Sequence, residues 1–174
     1  MAVNAAGELA WFSPDPRAII PLDERFHIPH GLKRVLKKNP FNVTFDTDFG
    51  TVIRACAKAH GSTWISKEII RSYSQLHKLG FAHSIEVWQD DQLAGGLYGV
   101  HIGGAFFGES MFHKVTDASK VALVALVERL RAKNFTLLDT QWTTKHLLQF
   151  GTFEMPKAEY LELLGHAIVL DRKF

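Results

Sequence analysis

The chain has 174 residues, 47% of them hydrophobic and 22% charged, and a formal net charge of +2. That length holds a sizeable core in one domain, or in one domain with a small appendage, and the balance is that of an ordinary soluble globular protein. A single cysteine, Cys56, excludes a disulfide framework and a Cys-rich zinc site and points to a reducing cytoplasm. In chain order, residues 1–26 are punctuated by Pro14, Pro16 and Pro21 and are predicted to be irregular. "PHGLKRVLKKNP" predicts a short helix from about Pro29 to Lys38, closed by the Asn-Pro that follows. "FNVTF" reads as a strand, and "DTDFGTVIRACAKAH" and "SKEIIRSYSQLHKLG" as amphipathic helices, the second ending at Gly80. "HSIEVWQDDQLAGGLYGVHIGGAFFGESMF" then gives three strands joined at "DDQ" and "GG", an antiparallel meander. Asp117 is placed to cap a long apolar helix running to about Lys133. "FTLLDTQ" is a further strand, "TKHLLQFG" a short helix, and "PKAEYLELL" a helix with proline in its first turn. The predicted class is α+β or mixed α/β. No apolar run approaches the length of a membrane span, and the first residues lack the basic-then-apolar order of a signal peptide.

Charge divides the chain. Residues 27–80 carry nine Lys and Arg against three Asp and Glu, net +6, whereas residues 1–26 and 81–174 are each net −2. A polyanion should therefore meet the first half. Within it, Lys33, Arg34, Lys37 and Lys38 share one helix face. Two readings stand: a solvated lysine-rich face, or a surface for nucleic-acid phosphates. Nothing in the pattern reads bases.

Glu109 is the carboxylate in "FFGESMF", an otherwise apolar run, and a lone acid there needs a partner. Trp64 is either a stacking platform for a base or an anchor for the helix that follows. Asp139 and Gln141 alternate on "LLDTQ" and are expected on the same side of the strand, opposite Leu138 and Thr140. A polar site and a helix-capping or salt-bridging role are both open to Asp139. His83 and His101 read as structural, no His, Asp or Glu cluster has metal-site spacing, and Ser110 and Cys56 lack the partners of a nucleophilic triad.

The stretches "WFSPDPR" (11–17), "TWIS" (63–66), "AHSIEVW" (82–88), "GGLYGV" (95–100), "FGESMF" (107–112), "ASK" (118–120), "LLDTQ" (137–141) and "HLLQFGTFEMPKAEY" (146–160) occur in this order. Together they resemble the bacterial leucyl/phenylalanyl-tRNA–protein transferases over residues 11 to about 164. The resemblance implies a catalytic part like the acetyltransferases of the GNAT superfamily. The organisation is then an irregular segment (1–26), a basic helical region (27–80) and a GNAT-like catalytic domain (81–174) with an antiparallel-rich sheet. The (Q/R)xxGx(G/A) pyrophosphate loop of those acetyltransferases is absent after "GESMF", so the acyl donor is not expected to be a coenzyme A thioester.

The implied reaction moves Leu or Phe, with Met a further candidate, from aminoacyl-tRNA to the α-amino group of a protein beginning with Arg or Lys. The product would enter N-end rule degradation. Neither cofactor nor metal is implied; the protein would act as a cytoplasmic monomer, away from membranes. Alternatives are a different amine acceptor or an inactive tRNA-binding relative. Carried over by motif, Arg34, Lys37, Lys38 and, in place of a further cation, His30 would meet the acceptor stem, and Trp64 the terminal adenosine. Glu109 would hold the α-ammonium of the aminoacyl group. Leu97, Phe106, Met111, Leu123, Leu126, Leu130 and Leu138 would form the aminoacyl pocket, while Asp139 accepts or orients the amine and Gln141 positions the carbonyl. The family's "GIFPW"-like motif is not among these residues, and Trp11 or Phe12 is the candidate to replace its tryptophan.

Overall fold

A computed structural model describes residues 12–59 and 64–174, and the backbone of residues 2–3 and 9–10. Two short strands, β1 (Ala2–Val3) and β2 (Leu9–Ala10), pair with each other. The other strands form one sheet: β3 (Arg17–Ile20), β4 (Asn42–Phe45), β5 (Ala82–Gln89), β6 (Gln92–Ile102), β7 (Ala105–His113), β8 (Leu137–Gln141) and β9 (Phe153–Met155). Their order is β4-β5-β6-β7-β8-β3-β9, and all neighbours are antiparallel except β7 and β8. The helices are α1 (His30–Lys38), α2 (Phe49–Ala59), α3 (Lys67–Lys78), α4 (Ala118–Ala132), α5 (Lys145–Leu148) and α6 (Lys157–Ile168). The class is mixed α/β with an antiparallel-rich sheet, as the sequence predicts.

Helix α4 is the crossover that a parallel pair requires. It lies with α1 on one face of the sheet, packing Val121, Leu123, Val124, Leu126, Val127 and Leu130 against Ile85, Val87, Leu97, Phe106 and Leu138. On the other face α2 and α3 bury Val52, Ile53, Cys56, Ile69 and Tyr73 against Ala82, Leu93, Tyr98 and Phe112. Further along that face, α6 places Tyr160 and Ala167 against Ile19, Ala105 and Leu137.

Local chemistry sets the element ends. Asn39 closes α1 in the left-handed conformation (φ 47°), its N–H donating to the carbonyls of Val35 and Leu36. Ser66 Oγ accepts from the Ile69 N–H at 3.3 Å and opens α3. Asp90 and Asp91, both at positive φ, make the two-residue turn of the β5–β6 hairpin.

Three expectations are corrected. The segment 1–26 is not irregular throughout: β3 lies between β8 and β9 in the sheet. β9, within "FGTFEM", is also a strand that the sequence did not reveal. Asp117 stands at the N-cap of α4, but its side chain does not cap the helix; it sits at φ 69° and accepts instead from Lys120 Nζ at 2.8 Å. His83 and His101 are structural, as expected: His83 lies 2.7 Å from an Asp46 oxygen through Nδ1 and 2.9 Å from His101 through Nε2.

Candidate active site

β7 and β8 pair only at Ala105–Leu137, Phe106–Leu138 and Phe107–Asp139, then part. The parting coincides with a bulge. Across β6, Gly99 faces Gly108 and Tyr98 faces Ser110, so Glu109 is the extra residue on β7. Gly99 is required there, because a Cβ would run into the Phe107 carbonyl and the Phe106 ring. A second bulge bends β8, since Ile19 pairs with Asp139 while Ala18 pairs with Gln141. Gln141 closes the strand at φ 63°, a costly conformation for a residue with a β-carbon.

Between the diverging strands lies a cavity of about 580 Å³, in the range of small-molecule sites. Its floor is apolar: Leu97, Leu123, Leu126 and Leu138, with Met111 on the wall. Glu109, Tyr98, Ser119 and Gln141 supply polar groups; Trp64, Trp142, Thr144 and His146 line it as well.

Glu109 differs from Glu86, another acid in an apolar strand. Glu86 on β5 is fully buried and satisfied from within, by Thr44 Oγ1 at 2.8 Å, Ser84 Oγ at 2.5 Å and the N–H groups of Thr47 and Asp48. For Glu109 the donor among the described residues is the Tyr73 hydroxyl. Burial raises the Glu109 pKa; the Tyr73 bond only partly offsets it, and the nearby Asp139 charge adds to the rise. A cationic group entering the cavity would meet this carboxylate, to which the described residues bring one hydroxyl donor, Tyr73, and the charge of Arg17. The Tyr98 hydroxyl, buried beside it, has no hydrogen-bond partner among the described residues.

Asp139 sits elsewhere than its spacing suggests. Its carboxylate is wholly buried on the α6 side and takes Arg17 Nε at 3.0 Å, Arg17 Nη2 at 2.5 Å, the Tyr160 hydroxyl at 2.8 Å and the Gln141 N–H at 2.8 Å. The Arg17 guanidinium also covers the Tyr160 ring at 4.8 Å. Asp139 does not line the cavity, so it is not placed to take a proton from an amine there. The bulge and the left-handed turn break the alternation that would put Asp139 and Gln141 on one side. Gln141 reaches the cavity with Leu138 and Thr140, while Asp139 faces away and tethers the Gln141 backbone.

The other predicted residues sort cleanly. Leu97, Met111, Leu123, Leu126 and Leu138 come together in the cavity. Phe106 and Leu130 do not: both are completely buried in the α4 core, one layer behind the lining. Trp64 is half-buried; it contacts Tyr73 edge-on at 6.5 Å and lines the cavity. Arg34, Lys37, Lys38 and His30 are exposed on α1. Trp11 and residues 60–63 lie outside the described residues, and Phe12 is exposed.

Sequence reasoning missed Arg17, Tyr73, Tyr98, Trp142, His146 and Tyr160. Trp142 carried a usable signal: a tryptophan directly after a strand end, 45% exposed at the cavity mouth. The others are ordinary members of strand and helix patterns, and only folding brings them to the site. Cys56 is no nucleophile, since burial pushes its thiol pKa up to about 12.

A strand pair opened over an apolar cavity that an acid also lines makes a site for a ligand carrying both an apolar side chain and a positive charge. Comparisons carry this further. The sequence model of the leucyl/phenylalanyl-tRNA protein transferase family matches residues 19–165. The leucyl/phenylalanyl-tRNA–protein transferase of Akkermansia muciniphila is 58% identical over 170 residues, 97% of this chain and 88% of that protein. The protein of the same name from Herpetosiphon aurantiacus is 55% identical, over 97% of this chain and 87% of that protein. This chain belongs to the leucyl/phenylalanyl-tRNA–protein transferase family. Among solved structures, L-PGS from Bacillus licheniformis shares the fold, with a TM-score of 0.51 and 13% identity over 79% of this chain and 50% of that one.

Proposed function

We propose that the protein transfers Leu or Phe from aminoacyl-tRNA to the N-terminal α-amino group of a protein that begins with Arg or Lys. The observation that carries this reading is the cavity between β7 and β8: deep and apolar where a Leu or Phe side chain would lie, with Glu109 at the rim where an α-ammonium would lie. The four leucines make most of the described lining apolar, and a polar side chain left unpaired against them would be costly. Trp64 and Trp142 at the mouth give flat surfaces for the terminal adenine.

The chemistry is aminolysis of an ester. The acceptor's free amine attacks the carbonyl carbon, a C–N bond forms and the C–O bond to the ribose breaks. The proton lost by nitrogen passes to the departing ribose oxygen. The ester is already activated, so positioning supplies much of the acceleration. Glu109 fixes the donor's ammonium and the Gln141 amide donates to the carbonyl oxygen as charge develops there. Asp139 acts through Gln141: with Arg17 and Tyr160 it holds the turn that aims the amide. Asp139 is thus a positioning residue. The product would be a substrate for N-end rule degradation in the cytoplasm, and the enzyme would work as a monomer.

Radiolabelled Leu-tRNA and Phe-tRNA, incubated with the protein and a peptide beginning with Arg, test the reading. Label on the peptide, and none on a peptide beginning with Gly, is the expected result. Label on another amine would favour a different acceptor, and tRNA binding without turnover would favour an inactive relative.

A further inference from the structure

A second depression lies beside the cavity; its α1 bank carries Arg34 and Lys38, which the family resemblance assigns to the donor RNA, and its other bank carries Lys120, which the reaction described above does not use. It is a groove of about 450 Å³ between α1 and the first turn of α4, lined by Pro29, Gly31, Arg34, Lys38, Asp117 and Lys120 among others. The two depressions share α4's first turn: Ser119 lines the cavity and its neighbour Lys120 lines the groove. Arg34 and Lys38, four residues apart on one face of α1, form the opposite bank. Lys37 points elsewhere and does not line the groove. Three cations against one carboxylate leave the groove positive, and the carboxylate of Asp117 is already engaged by Lys120 at 2.8 Å.

We propose that this groove is the track for the unpaired 3′ strand of the donor RNA, and that Lys120 binds the backbone phosphate nearest the cavity mouth. The inference rests on the aminoacyl-tRNA reading above, since it starts from an adenosine seated between Trp64 and Trp142. From there a strand bound for α1 must cross the first turn of α4, where Lys120 is the cation in its way. His146 marks the crossing. It lines the cavity mouth, its Nε2 is buried with no hydrogen-bond partner among the described residues, and it is therefore open to a ribose hydroxyl. Burial first, and then the charges of Lys120 and His113, hold the His146 pKa below the ordinary histidine value. Those side chains therefore lie close together at the mouth. A neutral imidazole beside a cation suits a sugar–phosphate chain: one group for the sugar, one for the phosphate. The lining is dominated by cations spaced along the groove, which suits recognition of backbone phosphates.

The test compares three donors of increasing length: aminoacyl-adenosine, a short single-stranded oligonucleotide ending in the same aminoacylated adenosine, and full aminoacyl-tRNA. For Lys120→Gln, kcat/KM for the oligonucleotide and for the tRNA should both fall relative to aminoacyl-adenosine, by roughly threefold to tenfold. The slope of log KM against log salt should shrink by about 0.7, the value for one single-strand phosphate. Lys37→Gln should lower use of the full tRNA only. Lys120→Arg should restore oligonucleotide use. Asp117→Asn, which frees Lys120 from its partner, should strengthen it, a direction that damage to the fold would not produce. The proposal is overturned if Lys120→Gln weakens all three donors equally, or leaves the oligonucleotide-to-adenosine ratio unchanged. Those results leave the donor reading intact; a wild-type protein that uses none of the three donors removes both.

Discussion

Replacing Glu109 with glutamine keeps the side chain's size and an acceptor oxygen for the Tyr73 hydroxyl, and removes only the charge. Burial has raised the carboxyl's pKa above its ordinary 4.5. A raised acid contributes stability that is present below its unfolded pKa and lost as pH rises through the folded one. Wherever it is ionised in the empty enzyme, the carboxylate is therefore a cost, which the amide avoids. The melting temperature of Glu109→Gln should hold or rise. The donor, by contrast, loses a charge-assisted hydrogen bond to its ammonium, worth about 1.5–3 kcal/mol. At 1.36 kcal/mol per tenfold, that is about a 10- to 150-fold fall in kcat/KM. The assay measures kcat/KM for aminoacyl-adenosine and for an acyl-adenosine lacking the α-amino group, with a thermal melt of each protein. The substitution should spare the deaminated donor. A collapsed melting temperature with normal specific activity of the folded fraction, or equal losses on both donors, would refute the reasoning.

Other consequences are as direct. Asp139→Asn leaves the largely buried Arg17 guanidinium without its carboxylate, a loss of about 3–5 kcal/mol; at about 2–4 °C per kcal/mol for a chain of this size, calorimetry should show a fall of roughly 6–20 °C. Leu126→Phe should narrow the cavity and shift preference from Phe towards Leu by about 1–3 kcal/mol, read from competition between Phe-tRNA and Leu-tRNA. Leu130→Phe, in the layer behind, should cost about 1–3 kcal/mol of stability by overpacking and shift the preference less. Burial, and then the His83 charge, depress the His101 pKa below its ordinary 6.5. The unfolded chain therefore takes up its proton first, and stability should fall as pH drops through 6.5 until the folded value is passed. Melting temperature followed across that pH should show the decline, and His101→Gln should flatten it.

The elements that bury one face by simple periodicity were legible in the sequence. α2, α3 and the β5–β7 meander carry their own start and stop signals, such as Ser66, Gly80 and the Asp90-Asp91 turn. β3 was not legible, because "RAII" follows two prolines and becomes a strand only when β8 and β9 offer both of its edges. The site shows the same division. Leu97, Leu123, Leu126 and Leu138 could be grouped only through the family resemblance, because helix spacing by itself reads as core. Leu130 followed the same spacing, yet one further turn of α4 carries it beneath the lining. Asp139 and Gln141 were misplaced relative to each other by a bulge and a positive φ, features that alternation cannot encode. Arg17 and Asp139 are 122 positions apart in sequence, so their pairing was invisible until the sheet was assembled. Glu109 was the residue most clearly flagged, since an acid in an apolar strand needs a reason.

The central claim is that the β7–β8 cavity holds the aminoacyl end of the donor. A crystal structure with phenylalanyl-adenosine made non-transferable by an amide link tests it most directly. The account predicts the phenyl ring among Leu97, Leu123, Leu126 and Leu138, the ammonium within hydrogen-bonding distance of Glu109, and the adenine against Trp64 or Trp142. A ligand seated outside this cavity, or one inside it with its ammonium turned away from Glu109, would contradict it.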